Sequence, residues 1–200
     1  GVANGLDALT ISLKSLNLKK NSEVLVASNS YIACIISIIN AGLKPILVEP
    51  DIETYNISPT EIKKKISKKT KAILAVHLYG KSCEMDQIIK ICNQKKLYLI
   101  EDCAQSHGSK YKNKNTGTFG GYGCFSFYPT KLLGALGDGG AIICKKKNNK
   151  VFLQKFRNYG SVKRYKNDVI GQNSRLDEIQ AIFVNIKLKF LSNIIKHKKK

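Results

Sequence analysis

The run K-A-I-L-A-V-H-L at residues 71–78 is apolar at almost every position, and it limits the folds open to this chain more than any other stretch. A strand with one face in water alternates apolar and polar residues, whereas a strand apolar throughout has both faces buried. The run therefore predicts an α/β arrangement, a sheet covered by helices on both sides. Further strands are expected at residues 23–27, 45–49, 97–102, 124–128 and 141–144. The first helix is expected to start at an Asn4 cap, with Asp7 at the capping-box position and Leu9, Leu13 and Leu16 on one face. Residues 32–41 read as a helix apolar nearly all round, expected to be buried on most sides, and helices are also expected at 59–66 and 151–159. A last helix is expected to be capped by Ser174, with apolar face Leu176, Ile179, Phe183, Ile186 and Phe190, before a frayed I-I-K-H-K-K-K end. With 43% hydrophobic content, 200 residues suffice for the core of one domain.

Chemistry concentrates at strand ends. Pro129 must end the run at 124–128, since proline cannot donate to a strand ladder, so Lys131 sits just past a strand with glycines at 134, 137, 139 and 140 behind it. Most lysines lie in polar runs such as 63–65, 145–147 and 198–200; Lys131 has aromatic and small neighbours instead. A lysine kept from water offers its neutral amine more readily, as a Schiff-base lysine must. The residues alone leave open whether Lys131 does so or merely snorkels beside a strand. Asp102 ends another apolar run, and in open α/β sheets the ligand crevice lies outside the carboxyl ends of the strands. It reads either as a site carboxylate or as a turn cap. Gly5, Leu6 and Asp7 present N–H groups at a positive helix end, where an anion would bind or the helix would simply be capped. Ser126 lies among apolar residues where an unpaired hydroxyl is costly; a phosphate oxygen or the backbone would satisfy it.

Several classes are excluded or disfavoured. The formal charge of +20 comes from 34 Lys and Arg against 14 Asp and Glu, but arginine occurs only at 157, 164 and 175, and no nucleic-acid-binding signature appears. The charge instead suits attraction of phosphorylated small molecules. Gly80-Lys81-Ser82 hints at a phosphate loop, yet the glycine required five residues earlier is Ala75. The 6 cysteines form no C-x-x-C pair and read as buried thiols in a reducing compartment. The 3 histidines are far apart in sequence, no metal site is expected, and His77 reads as a packed structural residue. No stretch is long and apolar enough to span a bilayer.

The ordered motifs E-D-C-A-Q-S-H-G, S-F-Y-P-T-K and G-D-G-G-A resemble the DegT/DnrJ family of sugar aminotransferases, pyridoxal-phosphate enzymes acting on nucleotide-linked keto sugars. Similarity runs from N-G-L-D-A-L to G-Q-N-S-R-L-D-E, nearly the whole chain. The resemblance implies a three-layer, aspartate-aminotransferase-like (PLP fold type I) domain with a mostly parallel sheet. It also implies that residues 1–200 are a partial large domain, since members are nearly twice as long; the family's N-terminal segment and small C-terminal domain are expected to be missing.

Position by position, Lys131 would hold pyridoxal 5′-phosphate and move a proton, and Asp102 would pair with the pyridine nitrogen. Gln105 would lie near the ring's 3-oxygen, Tyr31 would stack on the ring, and Ser126 with Gly5, Leu6 and Asp7 would hold the phosphate. Without the family, Tyr31 reads as a rim aromatic and Asn173 as a turn residue. With it, Asn173 would reach the cofactor phosphate of a second copy in a homodimer. Leu6 stands where the family commonly has threonine, Leu132 where a polar residue is common and Gly121 where an acid is common. The implied cytoplasmic reaction carries an amino group from a donor such as glutamate to a keto group on a nucleotide-linked deoxy sugar. H-L-Y-G, G-C-F-S-F-Y-P-T-K and G-A-L-G-D-G-G most resemble members that aminate dTDP-linked 3-keto-6-deoxyhexoses. Two rivals are a pyridoxamine-dependent sugar dehydratase, in which histidine replaces the lysine, and a non-catalytic fragment or basic binding domain. Lys131 argues against the first.

Overall fold

Residues 70–76 form the strand expected from the apolar run, buried at six of seven positions. The computed structural model describes residues 1–163 and 165–198; Arg164 and the last two lysines of the 198–200 run lie outside the described residues. In chain order the elements begin α1 (Gly5–Lys14), β1 (Glu23–Ala27), α2 (Ile32–Asn40), β2 (Lys44–Val48), α3 (Pro59–Lys65), β3 (Thr70–Val76), α4 (Met85–Lys95) and β4 (Tyr98–Asp102). A small hairpin, β5 (Lys110–Tyr111) with β6 (Lys114–Asn115), precedes β7 (Tyr122–Ser126), β8 (Gly140–Cys144) and α5 (Lys147–Phe156). A second ribbon, β9 (Ser161–Lys163) with β10 (Lys166–Asn167), leads to α6 (Glu178–Lys189) and α7 (Leu191–Lys198).

The central sheet has the order β2-β1-β3-β4-β7-β8, and each neighbouring pair is parallel except β7 with β8. Successive side chains of a strand point to opposite faces, so each strand feeds two layers. Val24, Val26, Leu74, Ile100 and Cys124 join the core formed with α1, α2 and α5. Leu25, Ile73, Ala75 and Leu99 join the one formed with α3 and α4. Each fully buried Leu or Ile in these layers contributes roughly 1.5–3 kcal/mol. The result is the three-layer α/β architecture expected.

The first helix starts as the sequence implies: Asn4 Oδ1 accepts the Asp7 N–H at 2.8 Å, and Leu9 and Leu13 are buried. Four expectations need correction. Helix α2 buries only Cys34, Ser37 and Ile38, while Ile32 and Ile39 are exposed by 56% and 57%, because a single stripe of the helix meets the sheet. The helix expected to be last, α6, starts at Glu178 after Asp177; Ser174 lies outside it, and its hydroxyl accepts the Ala3 N–H at 3.1 Å. Its buried residue is Val184, packed near Phe127, Leu133 and Ala135, whereas Ile179, Ile186 and Phe190 are exposed. The tail expected to fray is helical to Lys198, with Leu191 and Ile195 closing over Gly108. Helix α4 was not anticipated, although Met85, Ile88, Ile91 and Cys92, all buried, carry a helical period.

Candidate active site

The parity of β4 and β7 builds the site. Asp102 is the last residue of β4, pairs with Cys124 in the register with β7, and is 7% exposed. Ser126 lies two residues beyond Cys124, so it shares the face that packs under α1 and α2. The start of the chain is drawn to the same place. Val2 and Gly140 exchange two backbone hydrogen bonds of 2.9 Å, and a Cβ on Gly140 would come within 2.5 Å of Asn4 O. Glycine is therefore required there for α1 to begin beside the ends of β7 and β8.

Where α1 begins, Gly5 lies against Ser126; a Cβ on Gly5 would sit 2.6 Å from the serine Cβ. The N–H groups of Gly5 and Leu6 have no partner among the described residues, while that of Asp7 is taken by the Asn4 cap. The expected three free donors are thus two. Ser126 Oγ accepts the Tyr128 N–H at 3.3 Å and keeps its own proton for another acceptor. Two free N–H groups at a helix start, a hydroxyl and a gap that a single methyl would fill together fit a phosphate group.

The other expected residues lie at or after the carboxyl ends of β1, β4 and β7. Asp102 Oδ1 accepts the Ala104 N–H at 2.9 Å and Oδ2 the Cys34 thiol at 3.1 Å, which leaves lone pairs unused on both oxygens. Tyr31, at the start of α2, is 68% exposed, so its ring is free to cover a ligand. Gln105 Oε1 accepts the backbone N–H of Tyr79 at 2.7 Å, which fixes the amide and leaves its NH₂ as the free donor. Tyr79 holds that position with a positive φ of 54°. Such left-handed strain in a non-glycine residue clusters at functional sites.

Lys131 follows a tight turn in which its N–H donates to Tyr128 O at 2.9 Å with Pro129 in the second position. Gly134 lets the loop fold back on itself, since a Cβ there would meet Pro129 O at 2.3 Å. The lysine itself is half-buried. Of the departures noted in the sequence, Gly121 leaves ordinary space for a side chain, with Leu99 O 3.7 Å from its would-be Cβ. Asn173 is exposed and bridges to Asn158 just past the end of α5.

Two residues of the E-D-C-A-Q-S-H-G motif carry features to which the sequence reading gave no task. His107 is 4% exposed, lies 5.7 Å and 6.0 Å from the Phe125 and Phe127 rings, and among the described residues has no hydrogen-bond partner for either ring nitrogen. Burial and then the Lys131 charge press its pKa down to about 4, against a smaller pull from the Ser126 backbone. No local pattern marks it, because its neighbours come from a different strand. Glu101 is fully buried: Oε2 takes His77 Nε2 at 3.0 Å and the Gly117 N–H at 2.7 Å, and Oε1 takes the Phe119 and Gly120 N–H groups at 2.7 and 2.6 Å. His77 Nδ1 accepts the Cys83 N–H at 3.1 Å, which makes Nε2 the protonated nitrogen and His77 the packed residue expected. His77, Glu101 and Cys103 cluster closely enough to suggest a metal, but the ligating atoms of His77 and Glu101 are already spent on these bonds. A separate cavity of about 390 Å³, floored by Leu99, Gly120 and Tyr122, opens at the opposite end of the sheet and has no acid or histidine in its lining.

The whole of residues 1–200 matches the model of the DegT/DnrJ/EryC1/StrS aminotransferase family. The chain belongs to that family. It is 52% identical over 193 residues to the dTDP-3-amino-3,6-dideoxy-alpha-D-galactopyranose transaminase of Aneurinibacillus thermoaerophilus, covering 96% of this chain and 53% of the relative. Among solved structures, S. venezuelae DesV in complex with a ketimine intermediate superposes with a TM-score of 0.93 at 38% identity, over 96% of this chain and 52% of DesV. The ntda protein of Bacillus subtilis, solved with bound cofactor pmp, superposes with a TM-score of 0.90 at 33% identity, over 96% of this chain and 44% of its own. The chain thus spans about half the length of the DegT/DnrJ relatives it matches. Among the described residues, no helix is long and apolar enough to cross a membrane.

Proposed function

We propose that this chain is the cofactor-binding part of a pyridoxal-phosphate-dependent aminotransferase, which moves an amino group from an amino-acid donor such as glutamate to a keto group of a nucleotide-linked deoxy sugar. A dTDP-linked 3-keto-6-deoxyhexose is the favoured acceptor, given the names of the relatives. The observation that carries the reading is the convergence of Asp102, Ser126 and the start of α1 on one face of the sheet at its carboxyl end, with Lys131 in the loop that follows β7.

When bound, pyridoxal phosphate supplies an aldehyde for amines and a ring that takes up electrons from a neighbouring carbanion. The chain supplies the rest. Gly5 and Leu6 N–H groups and the Ser126 hydroxyl are assigned to the phosphate, and the Tyr31 ring to the cofactor's face. Asp102 would pair with the ring nitrogen and favour its protonated form. Gln105, its amide fixed by the Tyr79 N–H, would donate to the ring's oxygen. Lys131 Nζ would hold the cofactor's aldehyde carbon and, when free, would be the group that moves a proton at the donor's Cα. Asn173 is assigned to the phosphate held by a second copy, which makes the working assembly a homodimer; its exposed position supports this. Residues 1–200 are assigned to part of the large domain of such an enzyme, and the reaction to the cytoplasm.

Adding pyridoxal phosphate should produce a visible absorbance band, and borohydride should fix the label on Lys131, read by peptide mass spectrometry. An unchanged band in Lys131→Ala would overturn the assignment. A panel of nucleotide keto sugars with product mass determination then tests the acceptor.

A further inference from the structure

Among the cysteines, Cys34 stands apart. The Cys83 thiol donates to Val76 O, and Cys124 shares its thiol hydrogen bonding with Ser12 and Ala8 O, all of them packing contacts. Cys34 instead donates to a carboxylate at the candidate site, Asp102 Oδ2, at 3.1 Å across 68 residues of sequence. It lies in the first turn of α2, and its own N–H donates to Tyr31 O at 2.9 Å. One helical turn therefore carries both the exposed ring assigned to the cofactor's face and the donor that holds the acid. The thiol is 1% exposed. Burial, and then the negative charge of Asp102, push its pKa far up, so the sulfur keeps its proton and acts as a donor rather than a nucleophile. Near Asp102 among the described residues lie also the thiols of Cys103 and Cys124, which burial likewise holds protonated, while the side chains of Glu101 and His77 are engaged with one another.

We propose that Cys34 is a positioning residue for Asp102: its S–H pins Oδ2 while Ala104 pins Oδ1, so the plane of the carboxylate is fixed and its unused lone pairs point out of the end of the sheet. The contact stands on its own; its purpose, to aim Asp102 at a pyridine nitrogen, rests on the function proposed above. A carboxylate with one oxygen released would rotate, and part of the binding free energy would go into ordering it again. A residue that merely fills space would be replaced without loss by one of equal volume. A hydrogen-bond donor would be replaced only by another donor.

Cys34→Val keeps volume without a donor, Cys34→Ser keeps a donor, and Cys34→Ala removes both. In the chain without cofactor, the infrared S–H band of Cys34, isolated by subtracting the spectrum of Cys34→Ser, is expected below the bands of the other buried thiols. It should move up in Asp102→Asn, whose neutral oxygen is a weaker acceptor. Titration with pyridoxal 5′-phosphate should give affinities weakened about three- to tenfold in Cys34→Val and Cys34→Ala and less than about twofold in Cys34→Ser, the range expected for one ordinary hydrogen bond, since a thiol is a weak donor even to a carboxylate. The proposal is overturned if the Cys34 band coincides with those of the other thiols, or if Cys34→Val binds as tightly as the parent. If the parent takes up no pyridoxal phosphate, the functional reading fails, and the infrared measurement alone decides whether Cys34 holds the acid.

Discussion

Glu101 and Asp102 are adjacent acids at the end of one strand, both buried, and the chain treats them in opposite ways. Period-two alternation sends Glu101 into the layer of α3 and α4 and Asp102 into the layer of α1 and α2. Glu101 meets four donors there, one from His77 and three from the backbone of residues 117–120. Burial raises its pKa, but the His77 hydrogen bond and the backbone N–H groups outweigh burial and leave it below the usual carboxylate range. Asp102 meets two donors and keeps free lone pairs at the mouth of the sheet. A carboxylate whose acceptor sites are filled by the protein is a structural strut, and one left partly unfilled at a strand's carboxyl end is a ligand group.

The contrast can be broken from either side. Glu101→Ala should cost the most, about 3–5 kcal/mol of unfolding free energy by denaturant titration, because it strands three backbone N–H groups and His77 without an acceptor. A loss below about 1 kcal/mol would remove the strut role. Next is acidity. His107, at about 4 when folded against 6.5 when exposed, is in the layer of Phe125 and Phe127, on the Glu101 side. Between those values the unfolded chain binds a proton that the folded chain does not, so stability rises with pH. Lowering the pH from 6.5 through 4 should therefore remove up to about 3 kcal/mol, and His107→Phe should flatten that slope. Glu101 adds its own loss at lower pH still, since its stabilising interactions vanish as it is protonated.

Asp102→Asn should do the reverse of Glu101→Ala. Stability should change by less than about 1 kcal/mol while transamination by the complete enzyme falls at least about a hundredfold, the scale of one lost electrostatic partner. Equal losses in both would erase the distinction between the two acids. The smallest effect expected is at the phosphate cradle. Gly5→Ala brings a methyl against Ser126 and should weaken pyridoxal 5′-phosphate binding by about tenfold, or ~1.4 kcal/mol, while leaving pyridoxal without its phosphate unaffected. A parallel loss for both ligands would move the phosphate elsewhere.

Local signals were legible because they depend on near neighbours. The apolar run at 71–78 required a doubly covered strand, Asn4 capped α1, and Pro129 set the turn before Lys131. Ser174 misled for the same reason. Its spacing to Asp177 and Glu178 suits a capping box, but the Ala3 N–H, 171 residues away, took its hydroxyl. Helices α2 and α6 misled because an apolar surface says that a helix wants cover and not which stripe receives it. Ile32, Ile39, Ile179 and Ile186 are as apolar as Ile38 and Val184, yet face outward.

By itself the sequence determined the doubly covered strands of the sheet and the start of α1, that Glu101 and Asp102 must point opposite ways, and that Lys131 leaves a strand into a glycine-rich loop. Only the tertiary structure decided that Gly5 touches Ser126, that Cys34 holds Asp102, and that His107 is left between two aromatic rings without a partner. The reason is range: backbone periodicity and capping act within about one turn of helix or one strand. Who donates to a buried carboxylate is settled by which distant segments the packing of two layers brings to the same end of one sheet.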